Sequence, residues 1–118
     1  MARISVFKGR DARLNKAIFW ILAQQGPLAI YDLWRKLRTQ RDFAYTPYNT
    51  VNRRVRTLEE HGYIEKSGER KTKTGFVAKL YLLTARAYLA TLLNRTDLDD
   101  FIEKASDDKI LCALAAFL

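Results

Sequence analysis

The 118 residues predict one α+β domain, mainly helical, with a two-stranded ribbon after the third helix and one or more extra helices at the C-terminus. Three observations predict it. Apolar residues recur at helical spacing in three short stretches between positions 11 and 61. Two runs rich in aromatic and β-branched residues, "YIEKS" and "FVAKLYLL", flank the polar stretch "SGERKTKTG" at 67–75. A threonine, Thr84, then stands at the head of a further helical stretch, and the chain closes on the apolar run "ILCALAAFL".

Taken in order, residues 1–10 read as a basic arm. Asp11 suits a helix N-cap, and Leu14, Ala17, Ile18, Ile21 and Leu22 form the apolar stripe of a first helix that Gly26-Pro27 ends. Phe19, Trp20 and Ala23 fall largely outside that stripe, so this helix is expected to pack on two sides. Ile30, Leu33, Trp34 and Leu37 sit at i, i+3, i+4 and i+7, a second helix over about 29–38. "RTQRDFAY" connects it to a third. There Thr46 is a good N-cap, Pro47 suits the first helical position, and Gly62 fits the left-handed residue that closes the helix. The ribbon follows. "ARAYLATLLNR" makes a fourth helix, a short turn or helix is expected at 98–104, and a last helix is expected from about 107 to the end. The domain is expected over 11–96 and a helical extension over 97–118.

Charge adds a direction. The chain holds 21 Lys and Arg against 13 Asp and Glu, a formal charge of +8 and a pI near 9.8. Six of the 13 acids lie in "DLDDFIEKASDD" at 97–108, and positions 1–96 carry 19 basic and seven acidic residues. A basic body with an acidic tail points to a polyanionic partner for the body and a separate task for the tail.

The third helix concentrates the signal. Val51, Val55 and Leu58 make one narrow apolar stripe. At about 100° per residue, Asn49, Arg53, Arg56 and Glu60 fall opposite it, with Thr50, Asn52 and Thr57 on the flanks. Positions 49–57 carry three arginines and no acid, unlike the Glu/Lys ion-pair pattern of an ordinary solvated helix. Arginine pairs with guanine O6 and N7, and asparagine with adenine N6 and N7, so Asn49, Thr50, Asn52, Arg53 and Arg56 are the candidate base readers. Arg35, Lys36, Arg38, Arg41, Thr46 and Arg54 are candidate contacts to the phosphate backbone. Arg70, Lys71 and Lys73 in "SGERKTKTG" would lie along the backbone or enter the minor groove. Tyr48 falls beside the core stripe and is expected half-buried. His61 suits a helix C-terminus.

Three motifs in order carry a family resemblance. "VNRRVRTLEEHGYIEK" is similar to the recognition helix and first wing strand of MarR- and PadR-type winged helix-turn-helix regulators, through Leu58, Glu59, Gly62, Tyr63 and Ile64. "YLLT", Tyr81 to Thr84, resembles the end of their second wing strand, and "GPLAIYDLWRKL" their second helix and its lead-in. Ala29 stands where those proteins often have a serine cap, and the tail after 96 has no counterpart. The resemblance implies a winged helix whose third helix, about 47–61, enters the major groove while a wing at 67–76 lies outside it. It also implies a homodimer formed through terminal helices. The tail fits that expectation, since "ILCALAAFL" is apolar nearly all round and must be covered. Phe19, Trp20, Ile110, Leu111, Cys112, Leu114 and Phe117 are the expected interface. Cys112 is expected there as a small buried residue, with a bridge between two copies as the alternative.

Other chemistry is not visible. One cysteine and one histidine make neither a disulfide framework nor a structural zinc site. No Ser/His/Asp set or glycine-rich phosphate loop occurs, and Asp32 and Asp42 have no evident acid–base partner. The expectation is a non-enzyme without metal or cofactor, located in the cytoplasm, with no membrane partner and no assignable small-molecule effector. The partner expected is double-stranded DNA. The alternatives are a winged helix used for protein contact in a transcription or replication complex, and an RNA-binding module.

Overall fold

The computed structural model describes residues 4–95 and 98–115. Helices α1 (Ala12–Gln25), α2 (Ile30–Arg38) and α3 (Tyr48–Glu60) come first, then strands β1 (Ile64–Lys71) and β2 (Val77–Leu83), then α4 (Ala85–Arg95), α5 (Leu98–Lys104) and α6 (Asp107–Ala115). Each of the first three helices gives its expected stripe to one core. Ile18 and Leu22 of α1, Leu33 and Leu37 of α2, and Val51, Val55 and Leu58 of α3 are fully buried, together with Ile64 at the start of β1. Those apolar faces drive the assembly, since only by meeting one another do they leave water.

The strands pair antiparallel from Ile64 opposite Leu83 to Lys71 opposite Val77, with one irregularity between Lys66 and Gly68. Leu28 joins the far edge of β2, its N–H donating to the Tyr81 carbonyl at 3.0 Å and its carbonyl accepting from Tyr81 at 2.8 Å. This bond pair holds the lead-in of α2 against the hairpin. The hairpin is longer than "SGERKTKTG" suggested. β1 runs through Lys71, so Arg70 and Lys71 stand on a paired strand, and only Thr72–Phe76 turns. Thr72 N–H donates to the Phe76 carbonyl at 2.7 Å, and Gly75 supplies the positive φ (+88°) that the reversal needs. The cross-strand ladder overrides the low strand propensity of that polar run.

Thr84 forms the hinge pin between hairpin and helix. Its hydroxyl donates to the Gly62 carbonyl at 2.6 Å and accepts from Ala87 N–H at 3.4 Å, capping α4 as expected. At Gly62 itself φ is +82°, in line with its place after α3. The other two expected caps, Asp11 and Thr46, are corrected. Asp11 precedes α1 without a side-chain capping bond and spends its carboxylate on Arg54 instead, and α3 starts one residue later than expected, so that Pro47 rather than Thr46 stands at its N-cap.

Two expectations near the N-terminus are corrected. Residues 5–7 are not part of a free arm but a 3-10 turn whose Val6 and Phe7 are buried in the core. Buried Asn15 of α1 fixes this turn by donating from Nδ2 to the Val6 carbonyl at 2.8 Å. Phe19 is consequently not available to a second chain. It is 3% exposed, packed edge-on against Phe7 at 5.5 Å and tilted against Tyr63 at 5.8 Å. The second apolar side of α1 is thus covered from within at Phe19, by residues that sequence periodicity could not bring to it, while Ala23 is exposed. Trp20 stays 56% exposed. On the tail, Ile102, Leu111 and Leu114 are also exposed, as is Cys112. Phe117, expected beside them, lies outside the described residues.

Candidate nucleic-acid interface

Burying Val51, Val55 and Leu58 fixes the rotation of α3 and turns Asn49, Arg53, Arg56 and Glu60 into solvent. Thr50, Asn52 and Thr57 are half-buried on the flanks. Arg56 Nε donates to Asn52 Oδ1 at 3.3 Å, one turn away, and the Thr57 hydroxyl donates to the Arg53 carbonyl at 3.0 Å. Among the described residues neither Arg53 nor Arg56 has an acidic partner. An exposed helix face with unneutralised guanidiniums and side-chain amides is chemically suited to acceptor-rich base edges.

Arg54 departs from its expected place on the backbone. Only 18% of its side chain is exposed, and Nη1 binds Asp11 Oδ2 at 2.6 Å. On the wheel it lies some 60° from the core stripe, where helix α1 begins, so the acid at that terminus captures it. Its role is to clamp α3 to the start of α1.

The remaining basic residues divide by partner. Arg70 Nη2 binds Asp32 Oδ2 at 2.7 Å, latching the hairpin to the first turn of α2. Arg13 pairs with Asp42. Lys66 pairs with Glu69 at 2.7 Å, and this ammonium holds the Glu69 carboxyl below its ordinary range. Lys71 and Lys73 are exposed without an acidic partner among the described residues. Arg35 and Arg41 are exposed and Lys36 is half-buried. Arg38 donates from Nε to the Ala44 carbonyl at 3.2 Å and covers the Trp34 ring at 5.0 Å. The Thr46 carbonyl accepts from Trp34 Nε1 at 2.8 Å, which pins the connection entering α3.

Sequence reasoning missed an aromatic patch at this elbow. Tyr31 and Trp34 of α2 and Tyr48 of α3 contact one another with centroids 5.5 to 6.5 Å apart. Tyr31 and Tyr48 remain 54% and 38% exposed, and neighbouring Tyr45 is 95% exposed. The signal in the sequence is the paired i, i+3 spacing of Tyr31 with Trp34 and of Tyr45 with Tyr48.

On another side, a groove of about 460 Å³ runs between α1 and α4, lined among others by Phe7, Phe19, Trp20, Leu83 and Tyr88. Among the described residues no group of three or more His, Cys, Asp or Glu could hold a metal, and no helix is long and apolar enough to cross a membrane.

No protein-family model matches the chain, and no curated protein does. Solved structures are similar to it. The diamide-treated form of YodB from B. subtilis superposes with a TM-score of 0.58 at 15% identity, over 86% of this chain and 88% of that one. A candidate transcriptional regulator from Thermoplasma acidophilum, TA0346, reaches a TM-score of 0.48 at 17% identity, over 82% of this chain and 100% of that one. The helices, hairpin and connections described above form a winged helix.

Proposed function

We propose that this chain is a sequence-specific regulator of transcription that binds double-stranded DNA as a homodimer. In this reading α3 enters the major groove and reads bases with Asn49, Thr50, Asn52, Arg53 and Arg56. The hairpin tip, with Lys71 and Lys73, lies on the backbone or in the minor groove. Arg35, Lys36, Arg41 and the exposed edge of Arg38 meet phosphates from α2 and its exit. The observation that carries the reading is the outer face of α3, where Arg53 and Arg56 stand exposed without acidic partners among the described residues. A surface built for protein contact would put apolar side chains there. The chemistry is recognition, not catalysis.

The dimer belongs to the same reading. Trp20 and Tyr88 on α1 and α4, and Leu111 and Leu114 on α6, leave large apolar side chains in water. A second copy that covers them would also present two reading helices to one duplex, which multiplies the affinity of one.

Selection of bound duplexes from a random pool tests both parts. An enriched inverted repeat is the expected result. Enrichment of a single unrepeated element would remove the dimer. Retention of duplexes without any enriched sequence would remove specific reading by α3.

A further inference from the structure

We infer that Tyr48 reads the C5-methyl group of a thymine in the major groove, at the leading end of a row formed by Tyr48, Asn52 and Arg56. The inference rests on the DNA-binding reading above and adds a base-reading residue to it. Tyr48 opens α3, and Asn52 and Arg56 follow at i+4 and i+8, so the three side chains form one slanted ridge that turns by about 40° at each step, from beside the core stripe to the exposed face. The Arg56–Asn52 bond at 3.3 Å runs along that ridge. Asn52 and Arg56 are polar readers, and Tyr48 is the aromatic member of their row.

The ring is held in place rather than free. Trp34 meets it edge-on at 5.7 Å with an interplanar angle of 87°. Tyr31 lies at 6.5 Å. Trp34 is itself fixed by the bond from Nε1 to the Thr46 carbonyl at 2.8 Å and by the Arg38 guanidinium over its face at 5.0 Å. Rings at these separations are in direct contact and leave no room for a ligand between them. What the cluster offers is its outer surface, where Tyr48 is 38% exposed and Tyr31 is 54% exposed.

The faces of these rings, with Arg35 over Tyr31 and Arg38 over Trp34, offer a phosphate no hydrogen bond; only the tyrosine hydroxyls can donate to one. Base edges in the major groove are donors and acceptors with one apolar exception, the thymine methyl. A ring anchored at the head of the reading helix matches that exception. The contact is a ring contact, so it needs the phenyl group and not the hydroxyl.

The test uses the full chain and the duplex selected from the random pool. Each thymine is replaced in turn by deoxyuridine, which removes only the methyl. One thymine per half-site is expected to show a loss of about fourfold in affinity, the equivalent of one buried methyl group. Tyr48→Ser is expected to abolish that penalty and Tyr48→Phe to keep it, with circular dichroism of both variants matching the parent. A flat uridine scan on a duplex that is still bound overturns the inference and leaves the DNA reading standing. So does a penalty that survives in Tyr48→Ser or disappears in Tyr48→Phe. A chain that binds no duplex at all removes both.

Discussion

Arg53 and Arg54 are neighbours in sequence and opposites in environment, and the difference is rotation. One step of about 100° takes a guanidinium from open solvent to a carboxylate at the start of α1. Replacing Arg53 with Ala is expected to lower binding to the selected duplex by about 1–3 kcal/mol and to relax preference at one base pair. Titration against the selected and a scrambled duplex checks this, and equal losses on both would assign Arg53 to phosphate. Arg54→Ala is expected to act on stability instead. It removes a largely buried partner of half-exposed Asp11 and lowers unfolding free energy by about 1 kcal/mol, with base preference unchanged. Urea denaturation and the same titrations separate the two effects. The exposed side of α3 was legible in the sequence because burial follows the helical period. The fate of Arg54 was not, because its partner lies 43 positions away and nothing local names it.

At the scale of elements, the hairpin and the joint behind it set where the basic tip can reach. The polar run at 67–71 was read as loop from its composition, yet β2 supplies a ladder of partners that holds it extended. Arg70 is spoken for by Asp32, so Lys71 and Lys73 are the tip's free cations among the described residues. Replacing both with Ala is expected to weaken selected and scrambled duplexes alike and to flatten the salt dependence by about two units of slope, one for each phosphate contact. Binding measured across a salt series decides this; an unaltered slope would mean that the tip never meets the backbone. The joint between α3 and α4 makes a separate prediction. Gly62 has φ of +82°, and a Cβ there would lie 2.8 Å from Arg86 Nη1. Arg86 can swing aside at the cost of its 2.9 Å bond to the His61 carbonyl, but the backbone strain stays. Gly62→Ala is therefore expected to cost about 1–2 kcal/mol, read as a lowered midpoint in thermal unfolding. The glycine and Thr84 were legible from their residue types, since each type suits its position for a local reason.

For the whole molecule, the decisive question is what covers the apolar surface that one copy leaves in water. The sequence pointed to α1 and the tail, and the fold halves that answer. Phe19 is taken by Phe7, which the turn at Ser5–Phe7 lays over α1, and by Tyr63. Trp20 remains, at the mouth of the groove between α1 and α4, with Leu111 and Leu114 exposed on α6. Burial of apolar area contributes about 25 cal/mol per Å², so bringing such side chains on two copies together would favour a pair. Deleting residues 107–118 is expected to give a monomer that keeps weak, salt-sensitive binding to random duplex, since α3 and the hairpin are untouched, while affinity for an inverted repeat falls steeply. Two point variants guard against a deletion that merely exposes more surface. Trp20→Glu and Leu114→Glu each put a charge where the partner would sit and leave the core named above intact, so both are expected to sediment as folded monomers with the same loss on the inverted repeat. Sedimentation of the intact chain comes first. A monomer at micromolar concentration would mean that α6 turns back onto its own domain and that the chain reads a single site, and the two-fold operator would go with it.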